Sequence, residues 1–199
     1  MTEAAPDYAE LPLGVVLEMV ASREPAPGGG ASAAIAVALA AALSSMAARF
    51  ATDHLSTAED LCHRAEELRS RVMPLARADA EAYGRVLDAY RASRDDEELR
   101  ERGIQAALSE AVDVPLSIAE SGAEVVGIAT QLAEEGNPNL RGDAVTSVLL
   151  AGAGVRAAVT LVEINLSAAN IDNERLSRAK QLLSATDAGT SRFETAGGG

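Results

Sequence analysis

Two long stretches almost without charge constrain this chain more than any other feature. Residues 31–48 contain ten alanines and no charged residue, and residues 144–169 contain only Arg156 and Glu163 as charged residues. Alanine is the strongest helix former, and a helix that is apolar on nearly every side must be buried. The two stretches therefore predict two helices that are surrounded by other protein.

The rest of the chain also predicts helices. Aromatic residues make up only 3% of the chain, and the long alternating β-branched runs that form strands are absent. Apolar residues recur three or four positions apart, while Pro74 and Pro115 interrupt two of these patterns and predict kinks. The expected fold is all-α, a single-domain bundle of long, partly kinked helices over residues 11–185. Residues 1–10 are expected to form a flexible arm, and the polar, glycine-rich residues 186–199 a disordered tail.

Charge and cysteine usage exclude several classes of protein. A formal net charge of −13 argues against a nucleic-acid partner, because the phosphates of nucleic acids need a basic face. The single cysteine, Cys62, excludes an internal disulfide framework, and no basic and apolar signal segment opens the chain. We therefore expect a cytoplasmic protein.

The apolar stretches also predict the partner. Residues 31–48 approach the length of a membrane span, but their alanines and serines make them only weakly hydrophobic, so no membrane partner is expected. One small domain can hardly surround two such helices. We therefore expect a homo-oligomer in which the helix over residues 31–48 contributes to the subunit contact.

Asp79 interrupts an apolar stripe. The helical rhythm that runs through Leu68, Val72 and Leu75 continues at Asp79, so this carboxylate should face the interior. A buried carboxylate must be paired, protonated or used in chemistry. The structural alternative is an aspartate that a neighbouring helix satisfies for packing reasons. Tyr83, one turn later, could share the same site.

A second aspartate stands at the start of the other apolar helix. Asn137 is suited to cap that helix and Pro138 to be its first residue. At 100° per residue Asp143 lies roughly 140° around the helix axis from Arg156, which directs it toward protein or a cleft. The alternative is a first-turn aspartate that complements the helix dipole.

The loop before residues 31–48 is rich in glycine. Gly28, Gly29 and Gly30 expose backbone N–H groups at a helix start, a geometry that can hold an anion, although such loops are more often plain turns. No strand precedes the loop and no Lys-Ser or Lys-Thr pair follows it, so neither the P-loop nor the dinucleotide fingerprint fits. His54 and His63 are the only histidines, too few for a zinc centre, and no metal is expected.

Together these segments resemble a known family. The segments are Glu24-Pro25-Ala26-Pro27-Gly28-Gly29-Gly30-Ala31, Asp79 with Ala82-Tyr83, Asn137-Pro138-Asn139 with Asp143, and Ile164-Asn165-Leu166. They resemble the cyclodeaminase/cyclohydrolase family, which includes the deaminase half of formiminotransferase-cyclodeaminase and methenyltetrahydrofolate cyclohydrolases. The resemblance covers roughly residues 11–175 and implies an all-helical dimer with folate sites near subunit contacts. The family usually has Ser before the aspartate of its Asn-x-Asn segment, whereas this chain has Gly142.

The resemblance implies a tetrahydrofolate derivative as substrate and no separate cofactor. Chemistry at a one-carbon unit between two nitrogens needs a proton shuttle, for which Asp143 is the first candidate and Asp79 the second. The implied folate contacts are Gly28, Gly29, Gly30, Tyr83, Asn137, Asn139 and Arg141, the last for the glutamate tail. Hydrolysis of methenyltetrahydrofolate to formyltetrahydrofolate is favoured, because no formiminotransferase domain accompanies this chain. The alternatives are a formiminotetrahydrofolate cyclodeaminase that releases ammonia, or an inactive folate-binding helical oligomer.

Overall fold

The computed structural model of this protein describes residues 5–92, 97–171 and 174–194. These ranges contain eight α-helices, two short 3-10 helices and no strand, which confirms the all-α prediction. The α-helices are α1 (Leu13–Val20), α2 (Gly29–Arg49), α3 (Ala58–Val72), α4 (Leu75–Arg91), α5 (Glu97–Glu110), α6 (Asp113–Glu135), α7 (Arg141–Ala169) and α8 (Glu174–Glu194).

The two apolar stretches become α2 and α7, which pack side by side with α6. A Cβ atom added at Gly154 of α7 would lie 2.5 Å from Cγ2 of Val37 on α2. Farther along, the hydroxyls of Ser44 and Ser147 are 2.8 Å apart, and Ser147 donates to the carbonyl of Ala40 at 2.7 Å. Residue numbers rise along α2 as they fall along α7, so the two helices are antiparallel. Small residues allow this close approach, and the buried hydroxyls satisfy each other.

The helical pattern is interrupted in both predicted regions. In the second region the break comes before the proline. The pattern that contains Pro74 divides into α3 and α4 at this residue, because proline removes a helical hydrogen bond. The second pattern divides between Glu110 and Asp113, whereas Pro115 lies in the first turn of α6. A proline in the first turn loses no intrahelical bond, so α6 continues through it.

The described parts of the predicted arm and tail, residues 5–10 and 186–194, are more ordered than expected. The side chain of Asp7 accepts a hydrogen bond from the N–H of Ala9 at 3.0 Å, and Tyr8 is only 4% exposed. The predicted tail is wrong for residues 186–194, because α8 extends to Glu194 and buries Thr186, Thr190 and Phe193. Glycines permit this packing, since a Cβ at Gly152 would lie 2.5 Å from Cγ2 of Thr190. Residues 1–4 and 195–199, the remaining parts of the predicted arm and tail, lie outside the described residues.

The helices over Gly29–Arg49 and Pro138–Ala169 are long and apolar enough to cross a membrane by length and composition. In the bundle, 61% of the most apolar 18-residue segment of the first helix is buried, and 50% of that of the second. Such burial is typical of the core helices of a globular bundle.

One face of the α2–α7 pair remains uncovered, and we call it the α2/α7 strip. It contains the exposed residues Leu39, Leu149 and Ile164. On the helical wheel Leu39 lies roughly 200° from Val37, and Ile164 roughly 180° from Val155, and both valines face α6. The strip is therefore the face turned away from α6.

Candidate functional site

A cavity of about 330 Å³ lies where the start of α2 meets α4 and the second half of α7. We call it the Asp79 cavity. Apolar side chains from α4, α5 and α7 form most of its wall. Its polar and glycine lining consists of Gly28, Gly29, Gly30, Asp79, Tyr83 and Asn165.

Asp79 faces inward, as its place in the apolar stripe predicts. Its Oδ2 accepts a hydrogen bond from the N–H of Ala31 at 3.1 Å, so the carboxylate also caps the start of α2. Burial raises the pKa of Asp79, and the hydrogen bond from Ala31 opposes that rise without cancelling it. A carboxyl group with a raised pKa can both take up and release a proton closer to neutral pH.

Gly30 makes the position of Asp79 possible. A Cβ atom at residue 30 would overlap the Asp79 carboxylate. Among the described glycines none has a positive φ angle, so close approach explains this glycine and left-handed backbone does not. The glycine loop therefore lies at the site as expected, but the N–H of Ala31, next to it, is already bound by Asp79.

Asn165 is a site residue to which the sequence assigned no role. It lines the Asp79 cavity, and its Nδ2 donates to the carbonyl of Ala111 at 3.2 Å. The signal was a polar amide inside the long apolar stretch, within the segment that resembles the family. Its Oδ1 can accept a hydrogen bond from a ligand, because the bond to Ala111 involves only the Nδ2 group of Asn165.

The Asn137 segment lies at the opposite end of α2. Asn137 accepts from the N–H of Asn139 at 3.0 Å, which supports its expected role at the helix start, and donates to the carbonyl of Phe50 at 2.9 Å. Asp143 is half-buried in the first turn of α7. Leu161, which lines the Asp79 cavity, lies 18 residues later, roughly 27 Å along the helix axis.

Within one chain the candidate residues therefore lie in two separate groups. The first group surrounds the Asp79 cavity and contains Gly28, Gly29, Gly30, Asp79 and Tyr83. The second lies around the start of α7 and contains Asn137, Asn139, Arg141 and Asp143. A proton relay between Asp79 and Asp143 cannot form within a single subunit of these dimensions.

A larger cavity, of about 690 Å³, adjoins the Asp79 cavity. We call it the arm cavity, because the N-terminal arm forms one side of it through Ala5, Pro6 and Tyr8. Burial raises the pKa of Tyr8, and the charges of Asp79 and Glu81 raise it further. The wall shared with the Asp79 cavity consists of Pro25, Ala26, Ala80 and Tyr83.

A third cavity, of about 440 Å³, holds Cys62 and His63 beside a charged cluster. Glu66 accepts from the hydroxyl of Ser45 at 2.6 Å and from Arg69 at 2.7 Å. These hydrogen bonds, that of Ser45 first, lower the pKa of Glu66 to about 2. The cluster joins α2 to α3, and its carboxylate stays ionised near neutral pH.

Comparison with known proteins identifies relatives that match most of this chain. The family model for formiminotransferase-cyclodeaminase matches residues 12–185. The chain is 36% identical over 194 residues to methenyltetrahydrofolate cyclohydrolase from Methylorubrum extorquens, covering 90% of this chain and 92% of the relative. It is 33% identical over 175 residues to formimidoyltransferase-cyclodeaminase from Sus scrofa, covering 82% of this chain but 32% of the longer relative.

A solved structure shares the fold over nearly its whole length. The crystal structure of formiminotetrahydrofolate cyclodeaminase from Thermotoga maritima superposes with a TM-score of 0.82 at 29% identity, covering 92% of this chain and 94% of that chain. Sequence similarity and fold similarity thus point to the same family. The chain belongs to the formiminotransferase-cyclodeaminase family.

Proposed function

We propose that this protein is a folate enzyme that hydrolyses methenyltetrahydrofolate to formyltetrahydrofolate. The observation that carries the proposal is the half-buried Asp79 carboxyl, with its raised pKa, bonded to a helix start inside a cavity. The near full-length similarity to a methenyltetrahydrofolate cyclohydrolase supports the choice of reaction. The reaction adds the oxygen of water to the methenyl carbon, breaks one of its two carbon–nitrogen bonds and releases one proton.

The site supplies the proton transfers that this reaction needs. A carboxylate in the cavity takes a proton from the attacking water and returns a proton to the nitrogen that leaves. The substrate carries a delocalised positive charge over its N–C–N unit, which the half-buried Asp79 carboxylate stabilises more than it would in open solvent. Tyr83 and Asn165 present further hydrogen-bonding groups to the polar edge of the folate ring.

We further propose a two-fold symmetric homodimer that brings the two groups of residues together. Leu39, the midpoint of α2 (Gly29–Arg49), lies exposed on the α2/α7 strip. If the two-fold axis passes near Leu39, α2 pairs antiparallel with its copy, and residue 29 faces residue 49 of the partner. Asn137 is bound to the carbonyl of Phe50 at that same end of α2. Asp143 of the partner subunit would then reach the Asp79 cavity.

The activity test follows the loss of methenyltetrahydrofolate by absorbance, without added metal or nucleotide. We expect turnover well above spontaneous hydrolysis in the wild type, and turnover close to that background in Asp79→Asn. Ammonia release from formiminotetrahydrofolate is measured in parallel, because the Thermotoga maritima cyclodeaminase shares the fold. Ammonia release alone would assign the second reaction, and two flat traces would leave an inactive folate-binding oligomer.

The shared site is tested by mixing two inactive variants. Asp79→Asn and Asp143→Asn subunits are coexpressed with different tags, and the heterodimer is purified through both tags. In this heterodimer one of the two sites contains both native aspartates, so we expect about half of the wild-type rate per dimer. Each variant homodimer should retain ~1% or less of that rate. A heterodimer as inactive as its parents would show that both aspartates act within one subunit.

A further inference from the structure

The arm cavity has no assigned ligand, yet it adjoins the Asp79 cavity and shares four lining residues with it, Pro25, Ala26, Ala80 and Tyr83. We propose that it binds the aminobenzoylglutamate portion of the folate and that Arg85 binds a carboxylate of the glutamate. This inference rests on the proposed function, because it identifies where the rest of the same substrate lies. It assigns the glutamate contact to Arg85, which lines the arm cavity, instead of to Arg141, for which the family resemblance implied it.

The sizes of the two cavities and their shared lining support one ligand that occupies both. The Asp79 cavity, at about 330 Å³, lies at the lower end of the range for small-molecule sites. A fused pterin ring with its one-carbon bridge fits a space of this size, but a complete folate extends beyond it. The arm cavity adds about 690 Å³ on the other side of a wall that includes Ala80 and Tyr83. A folate whose reactive carbon lies at Asp79 therefore continues past Tyr83 into the arm cavity.

The charges of the arm cavity leave one cation available. Glu81 lies 2.8 Å from Arg77, and Asp88 lies 3.8 Å from Arg91, so these two carboxylates have cationic partners. Arg85 lines the cavity, and within the described part of the chain no ion pair or hydrogen bond involves its guanidinium. A guanidinium binds a carboxylate through two parallel hydrogen bonds, which suits the end of a glutamate.

The remaining carboxylate of the lining is Glu24, which has no ion pair among the described residues. It repels an anionic tail, so it directs the glutamate away from itself and toward Arg85 on α4.

The aromatic side chains of the two cavities fit the middle of the ligand. Tyr83 is 45% exposed and borders both cavities, and Tyr8 lies on the arm side. Between them an aminobenzoyl ring can make aromatic contacts.

The test compares Arg85→Ala with the wild type on two substrates. One is methenyltetrahydrofolate, and the other is methenyltetrahydropteroate, which lacks the glutamate. We expect Arg85→Ala to raise KM for the first substrate about tenfold with little change in kcat, because it removes a charged hydrogen bond remote from the reacting carbon. For the pteroate substrate, the variant and the wild type should have the same KM. Arg85→Lys should recover part of the loss.

Controls separate the subsite from the fold and from the activity. Arg100→Ala on α5 removes the same charge without lining either cavity, and its KM should match the wild type. An equal KM for Arg85→Ala and the wild type on both substrates would overturn the proposal, as would a rise that is the same for both. A glutamate-dependent rise in Arg141→Ala instead of Arg85→Ala would also overturn it. Calorimetric binding of tetrahydrofolate and tetrahydropteroate gives the same comparison if the protein proves inactive.

Discussion

At the scale of single residues, we expect Asp79 to be needed for turnover but not for the stability of the fold. An asparagine at this position can still accept the hydrogen bond from Ala31, and it has no charged form that burial disfavours. We therefore expect Asp79→Asn to melt at the wild-type temperature or above it at pH 7, while turnover falls ~10²-fold or more. Calorimetry and the methenyltetrahydrofolate assay measure the two effects. A lower melting temperature with full turnover would make Asp79 purely structural.

The pH dependence of Asp79 has a definite sign. Its pKa in the folded protein lies above the ordinary value of 3.8, so the folded state binds this proton more tightly than the unfolded state. Its contribution to the unfolding free energy is therefore greatest at low pH and is lost as pH rises through the two pKa values. Unfolding experiments should show this fall in the wild type relative to Asp79→Asn, and a difference that changes in the opposite direction would contradict the raised pKa.

Gly30 offers an independent test of the same carboxylate. In Gly30→Ala the new Cβ would overlap Asp79, so the carboxylate must move away from the N–H of Ala31. We expect a lower melting temperature and turnover reduced ~100-fold, since the group is displaced from its hydrogen bond. The matched control is Gly127→Ala on α6, where an added Cβ meets nothing within 4 Å. A fully active Gly30→Ala protein would show that the close approach is unimportant.

At the scale of elements, the last turns of α8 should stabilise the bundle. A chain that ends after residue 185 loses the buried side chains of Thr186, Thr190 and Phe193. It also loses the bonds from Arg156 to Asp187 and Thr190. We expect the unfolding free energy to fall by about 3 kcal/mol or more, because burial of a Phe side chain alone contributes about 1.5–3 kcal/mol.

Denaturant unfolding checks this expectation against a chain that ends after Glu194. The chain that ends after Glu194 is a suitable control because it keeps every residue of α8. Equal stability of the two truncated proteins would mean that the turns after residue 185 contribute nothing. That result would favour the disordered tail that the composition predicts.

At the scale of the whole molecule, the α2/α7 strip should determine the oligomeric state. Leu39 is 53% exposed in the single chain, so Leu39→Glu leaves the fold of the subunit intact. At the centre of a two-fold contact it places two like charges in apolar surroundings, and we expect monomers with little turnover. Light scattering at micromolar concentration measures the mass. The matched control, Leu99→Glu on α5, is also highly exposed and should remain dimeric. A monomeric wild type would remove the basis for a shared site.

Local sequence patterns predict much of this architecture. The all-α fold, the inward direction of Asp79 and the bond from the N–H of Asn139 to the side chain of Asn137, just before α7, each depend on residues within a few turns of one another. Helix formation and helix periodicity are local properties, so sequence patterns predict them well. For the same reason the family resemblance, carried by short segments, was confirmed.

Other features depend on contacts between distant parts of the chain. The sequence determined that Asp79 points inward, but only the tertiary structure placed it on Ala31, 48 residues away. Packing also decided that α8 extends to Glu194, that Asn165 joins the cavity, and that Asp143 lies at the far end of α2. The physical reason is that these outcomes depend on which helix faces meet at close range, and residue order along the chain does not specify those distances.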